Sequence, residues 1–353
     1  MLGKLKIDLL RLGENYKRAQ DLAPNSIVAP VLKNNAYGLG FKQIGTHLYK
    51  NERCQNFFID YVTEAVKLRP SVPGANIFIL QGLQEHEIPL IKGYNLIPVI
   101  STLSEYKVWK KNKLSHIRPI LNVETGLSRL GFREEDLQEL TDADKKDFGM
   151  CMSHLSCADI PNHPMNYQQL KRIKAVQEVM GGIPITLSAS GGVMLDKDFH
   201  CKMVRVGNMI YGLKQHLYDN KPVVSVDVPV LQIADIKKGD TVGYRANFSY
   251  GRDGKIAVLG VGFGDGVPRS FSKNGFFCFG EHKAPILGTL CMDCTVVDIT
   301  DIEGVQEADT ATLINDIHTI DEMAEATDML PSELLSNIGN SKRFIREYIS
   351  KRG

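Results

Sequence analysis

The chain has 353 residues, 43% of them hydrophobic and 24% charged, a balance that excludes a disordered or fibrous protein. A net charge of +1 supplies no field for gathering nucleic acid or an anionic membrane, so neither is expected as a partner. The longest apolar runs, such as 77–80 and 256–261, fall far short of the roughly 20 residues that a membrane helix requires.

The amino terminus reads as a short strand and lacks the long apolar stretch of a secretory signal, so a cytoplasmic location is expected. Short β-branched runs then alternate with helical patterns at 27–32, 56–60, 77–80, 96–100, 117–123, 149–154, 185–188 and 203–206. Each run is apolar on both faces, as parallel strands covered by helices must be. Eight such strands close a TIM-like α/β barrel. The clearest helix covers 166–180, where Leu170, Ile173, Val176 and Met180 share one face and predict core rather than ligand contact.

Past residue 222 the pattern changes to strand-like runs at 223–236, 241–248, 255–261, 276–279 and 286–299, separated by glycine-containing turns, with helical periodicity returning only after Glu307. The expected organisation is an eight-stranded barrel over 1–221 and a mostly β domain over 222–353, divided near Asn220 and Lys221. Seven cysteines are scattered along the chain, and the one close pair, Cys291 and Cys294, has no second pair to complete a zinc site. Reduced thiols and no metal are expected.

Lys33 stands at the end of the first barrel strand, ahead of a small-residue turn. The carboxyl ends of barrel strands aim side chains into a shared mouth, which places this amine to form a Schiff base. Taken alone, a lysine after an apolar strand is ordinarily a solvated charge. The wider string at 31–40, Val-Leu-Lys-Asn-Asn-Ala-Tyr-Gly-Leu-Gly, closely resembles the cofactor-lysine motif of alanine racemases. The resemblance implies that Lys33 carries pyridoxal 5'-phosphate covalently and that Tyr37 binds its phosphate.

Further strings resemble the same family in order along nearly the whole chain. Glu-Thr-Gly-Leu-Ser-Arg-Leu-Gly-Phe at 124–132 looks like the segment whose arginine, here Arg129, contacts the cofactor's phenolic oxygen and helps hold the substrate. Ser-His-Leu-Ser-Cys-Ala-Asp at 153–159 matches the segment whose histidine, here His154, lies against the pyridine ring. In isolation His154 reads as a hydrogen-bonded core histidine and Arg129 as half of a surface ion pair.

The segments 186–192 and 204–212 fall where barrel strands seven and eight should end, and loops there commonly bind phosphate through main-chain amides. Ser190, Gly207 and Asn208 are the phosphate candidates. The resemblance sets Arg205 against the pyridine nitrogen. A guanidinium keeps its protons at working pH, so that nitrogen would stay unprotonated and the ring would be a weaker electron sink. Weaker delocalisation favours simple return of the proton over transamination.

In the second domain, strings at 239–244, 261–269 and 288–293 together resemble the family's carboxyl-terminal domain. Singly, Tyr244 would be strand packing and Cys291-Met292 buried filler. The resemblance makes Tyr244 a catalytic acid/base and lets Met292 help line the substrate site. Removing a proton from one face of an α-carbon and returning one to the other needs two bases, here Lys33 and Tyr244. An unperturbed phenol titrates near ~10, so Tyr244 needs nearby cations. In the family this tyrosine crosses from a neighbouring subunit, which implies a homodimer with shared sites.

The match departs from the pattern at several positions. Asn122 stands where many relatives have a carbamylated lysine, and an anion such as chloride, bound by Asn122 and Arg129, is the expected replacement. Phe263 replaces a common tyrosine and Ala189 a common asparagine, while Asn340 is the nearest counterpart of a tyrosine near the substrate entrance. The expected activity is racemisation of alanine, supplying D-alanine for peptidoglycan. Alternatives are a racemase acting on serine or basic amino acids, a decarboxylase of the same architecture, and a pyridoxal-phosphate carrier without catalysis. A decarboxylase should show a cysteine-glutamate motif in place of Cys291-Met292-Asp293, and a carrier needs no second base.

Overall fold

The computed structural model describes residues 2–112 and 114–351. Its first strand is β1 (Gly3–Asp8), followed by eight that form one sheet: β2 (Ile27–Pro30), β3 (Asn56–Ile59), β4 (Asn76–Ile79), β5 (Ile97–Ile100), β6 (Ile120–Asn122), β7 (Met150–Met152), β8 (Ile185–Ala189) and β9 (Met203–Val206). All neighbours in this sheet pair in parallel. Closure comes from a parallel bridge between Val31 and Phe58, where the Leu32 amide donates to the Phe58 carbonyl at 2.7 Å. Every expected barrel strand is present, within a few residues of its predicted bounds.

Strand periodicity sorts these residues into two layers. Ala29, Phe58, Phe78, Val99, Ile120, Met152 and Met203 form one cluster inside the barrel, with the Phe58 and Phe78 rings stacked 4.6 Å apart. Their outward neighbours Phe57, Ile59, Ile77, Ile79, Leu121, Cys151 and Val204 join the larger core beneath the helices. The helix expected at 166–180 spans Pro164–Val179 and buries Leu170 and Ile173.

The other large sheet contains β10 (Val224–Ile236), β13 (Gly254–Leu259), β14 (Phe276–Phe279), β15 (His282–Pro285), β16 (Thr295–Asp298), β17 (Thr310–Ile314) and β18 (Phe344–Ile349); β11 (Thr241–Val242) and β12 (Phe248–Ser249) make a separate two-stranded ribbon. β10 pairs with β1 and β17 near its start, shifts register near Val230, and pairs with β13 beyond it. β1 also pairs in parallel with β18. The strand at residues 3–8, expected with the barrel, therefore belongs to the second sheet.

In the second domain two predicted strands are cut well short of their sequence pattern. The run 241–248 is broken by a single turn at Tyr244–Ala246, where Gly243, Arg245 and Ala246 all have positive φ and cannot continue a strand. Within 286–299 only Thr295–Asp298 is a strand, because the carbonyls of Cys291 and Met292 accept from the amides of Phe263 and Gly264 and the Cys291 amide turns back to the Cys294 carbonyl.

Candidate active site

The strand parity that fills the barrel interior also builds its mouth. Two residues beyond the inward-facing Val31, Phe58, Ile120, Met152 and Met203 come Lys33, Asp60, Asn122, His154 and Arg205, all at the carboxyl ends of their strands. They line a cavity of about 680 Å³ together with Tyr37, Arg129, Ser190, Gly207 and Asn208. One chain thus brings together eight of the ten expected site residues. Tyr244 and Met292 lie elsewhere, 70% and 63% exposed on the second domain.

Lys33 opens the expected turn, whose left-handed conformation the sequence did not foreshadow. Asn34, Asn35, Ala36 and Tyr37 all have φ between 51° and 57°, a run of left-handed residues none of which is glycine. Each such residue costs roughly 1–2 kcal/mol, less for asparagine, so the turn persists only because its surroundings fix it. Gly38 and Gly40 end it with amides donated to the carbonyls of Asn34 at 2.9 Å and Asn35 at 2.8 Å. The turn leaves the Tyr37 ring against that of Tyr211, with centroids 4.6 Å apart. Burial pushes the Tyr37 phenol well above its ordinary range, so it stays protonated and able to donate.

Arg205 is 4% exposed and has no carboxylate partner among the described residues. Its guanidinium donates to Thr186 Oγ1 at 2.7 Å, to the Ser153 carbonyl at 2.6 Å, to the Leu187 carbonyl at 3.1 Å and to His154 Nδ1 at 3.3 Å. Burial, and then the charge of Arg129, pulls it down to about 10, which leaves it a cation at neutral pH. Burial together with Arg205, Arg129 and Lys33 pushes His154 down to about 3, so the imidazole is neutral.

On the opposite wall, Ser190 Oγ accepts from the amides of Gly207 at 3.1 Å and Met209 at 3.2 Å. A β-carbon on Gly207 would lie 2.5 Å from Tyr37 Oη, so only glycine lets that hydroxyl approach the turn. Arg129 is presented by a loop that Glu124 gathers with side-chain bonds to the amides of Gly126 and, at 3.0 Å, Arg129. Burial opposes ionisation of Glu124, but the amides of Ser128, Arg129, Gly126 and Leu127 outweigh it and lower its pKa.

Asn122 differs from expectation. Its amide nitrogen donates to Ser101 Oγ and to the Leu130 carbonyl, both at 3.0 Å, which uses both of its hydrogens. No donor is left on Asn122 for the anion expected there. Asp60 was missed by motif reasoning, although parity two residues past Phe58 could have found it. Its carboxyl is pushed up by burial against the opposing pull of Lys33 and Arg129.

Met292 sits on a turn held by bonds from the Phe263 amide to the Cys291 carbonyl at 3.0 Å and from the Gly264 amide to the Met292 carbonyl at 2.8 Å. Asn247 Nδ2 donates to Thr289 Oγ1 at 2.8 Å, tying the Tyr244 turn to the same region.

The family model of the alanine racemase N-terminal domain matches residues 7–215, and that of the alanine racemase C-terminal domain matches 223–348. The chain belongs to the alanine racemase family. An alanine racemase of Rickettsia conorii is 32% identical over 355 residues, covering 98% of each chain, and one of Ruegeria sp. is 33% identical over 348 residues with the same coverage. A crystal structure of alanine racemase from Bartonella henselae with covalently bound pyridoxal phosphate superposes with a TM-score of 0.92 at 30% identity, covering 99% of this chain and 100% of that one.

Proposed function

We propose that this chain is an alanine racemase that interconverts L-alanine and D-alanine, with pyridoxal 5'-phosphate on Lys33. The observation that carries this reading is the placement of Lys33, Arg205, His154 and the Ser190 to Asn208 wall around one cavity at the carboxyl end of the barrel. The residues fit the cofactor. An unpaired cation at Arg205 and a neutral imidazole at His154 suit a pyridine ring, while the hydroxyls of Ser190 and Tyr37, brought together beside the Gly207 backbone, suit a phosphate. About 680 Å³ is an ordinary volume for a small-molecule site.

When bound, the cofactor supplies an electron sink for the charge left at the substrate α-carbon. The chain's own groups do the rest. Lys33 would hold the cofactor until the substrate's own amine takes its place, and the freed Lys33 amine would then move a proton on one face of the α-carbon. Arg129 binds the substrate carboxylate, and Arg205 keeps the ring nitrogen from gaining a proton. Tyr244, with Met292, reaches the other face from a second copy of the chain, which accounts for the exposure of both residues and makes the enzyme a homodimer with shared sites. From L-alanine, Tyr244 abstracts and Lys33 returns the proton; from D-alanine the roles reverse.

This assignment divides the chain into a cofactor-binding part within 1–221, apart from the strand at 3–8 that joins the second sheet, and a part completing the site, 222–353. It implies a cytoplasmic enzyme that supplies D-alanine for peptidoglycan. Borohydride reduction followed by peptide mapping should label Lys33, and each alanine enantiomer should exchange its α-hydrogen with D₂O. A label on another residue overturns the assignment. Initial rates on a panel of single L-amino acids decide the substrate, and negligible alanine turnover eliminates it.

A further inference from the structure

The left-handed run at 34–37 needs a cause beyond its own sequence: Asn34 and Asn35 tolerate positive φ, but Ala36 and Tyr37 have no local preference for it. The peptide bonds inside the turn do not suffice either. The Asn35 amide donates to a side chain, Glu64 Oε1, at 2.9 Å, rather than to a backbone carbonyl. Glu64 lies on the helix Val62–Leu68, which follows β3, the strand that closes the barrel beside the Lys33 strand.

That bond is the only hydrogen bond made by the Glu64 side chain among the described residues, and its other oxygen, Oε2, is buried without a partner. The Glu64 carboxyl thus gives up solvation at one oxygen while presenting the other to the turn. The second domain closes on the turn from the other side. Asn340 Nδ2 donates to Asn34 Oδ1 at 3.2 Å, Arg346 Nε to the Gly38 carbonyl at 3.1 Å, and Tyr348 Oη to the Leu39 carbonyl at 2.8 Å.

We propose that Glu64 is a positioning residue for the reaction: by fixing the Asn35 amide it sets the left-handed turn, and the turn sets where the Lys33 amine and the Tyr37 hydroxyl point. The proposal rests on the assignment of Lys33 as the cofactor lysine. Replacing the acceptor with a methyl group releases the amide, and the turn gains access to right-handed conformations in which Lys33 and Tyr37 no longer face the cavity together.

The test uses the full-length enzyme with its cofactor, comparing Glu64→Ala, Glu64→Gln and Glu64→Asp. Three quantities are read: amide hydrogen exchange at Asn35, the cofactor concentration that half-saturates borohydride labelling of Lys33, and kcat and KM for both alanine enantiomers. In Glu64→Ala, exchange at Asn35 should quicken about tenfold, half-saturation should rise about tenfold and kcat should fall about tenfold, with KM changing less. Glu64→Gln keeps an acceptor oxygen and should return all three close to the parent values.

Unchanged exchange at Asn35 in Glu64→Ala overturns the proposal, as does faster exchange with kcat and half-saturation untouched. Should Glu64→Ala fail to fold, Glu64→Asp keeps the charge but is one methylene too short, and parent-like values there overturn the proposal equally. Failure of the parent enzyme to label at Lys33 would instead refute the cofactor assignment. The exchange measurement, which needs no chemistry, would still decide whether Glu64 holds the turn.

Discussion

Arg205 Nη2 donates to His154 Nδ1 across 3.3 Å, which makes Nδ1 the acceptor and leaves the imidazole proton on Nε2. Burial first, and then the facing Arg205 cation, keep this histidine from becoming a cation. The relationship fixes one tautomer at the mouth of the barrel, and it has a consequence for pH.

His154 is held at about 3, whereas an unfolded histidine titrates near ~6.5. Between those values the unfolded chain binds a proton that the folded chain refuses, so the contribution of His154 to stability declines as pH falls through this window and is constant above it. Proton NMR should show the His154 ring resonances unmoved from pH 8 down to about 5. A midpoint near neutrality would contradict the geometry.

Arg205→Lys should destabilise the fold by about 2–4 kcal/mol, because a single ammonium cannot serve Thr186, Ser153, Leu187 and His154 together and some of these buried acceptors lose their donor. Denaturant unfolding measures the loss. The same variant should raise the His154 midpoint, since burial would remain but the guanidinium bond to Nδ1 would not.

Gly207→Ala introduces a β-carbon 2.5 Å from Tyr37 Oη. Moving the phenol aside should cost about 1–3 kcal/mol of stability and weaken cofactor binding more than it changes KM for alanine. Titration with pyridoxal 5'-phosphate, followed by its absorbance, reads the first effect. Unchanged affinity would remove Tyr37 and Gly207 from the phosphate wall.

Lys33→Ala and Tyr244→Phe chains should each be severely impaired alone, the second more in the direction that starts from L-alanine. With the shared-site dimer proposed above, co-expressed chains should recover roughly a quarter of parental activity, because mixed dimers would carry one intact site built from the unaltered halves of both chains. If both bases came from one chain, mixing would restore nothing.

The barrel was legible because its strands repeat a simple pattern. Apolar runs such as 56–60 and 203–206 bury both faces, and no tertiary information is needed to see that. Lys33, His154 and Arg205 were legible as site residues only through the family motifs that contain them; their places at strand ends agreed with that reading without being enough for it. The break at Tyr244–Ala246 was not, because 241–248 carries residues that suit a strand, and only the positive φ values of Gly243, Arg245 and Ala246 interrupt it. Asn122 likewise reads as a free donor until Ser101 and Leu130 take both of its hydrogens.

The sequence by itself determined which residues share the barrel mouth, since the two-residue period of a strand sends Val31 and Lys33, or Met203 and Arg205, to the same side whatever surrounds them. Tertiary structure alone decided how those residues are held. The left-handed turn at 34–37, the grip of Glu64 on Asn35 and the placement of residues 3–8 in the second sheet join segments distant in the chain. Such contacts are chosen by the closed packing of the whole molecule, and local pattern carries no record of them.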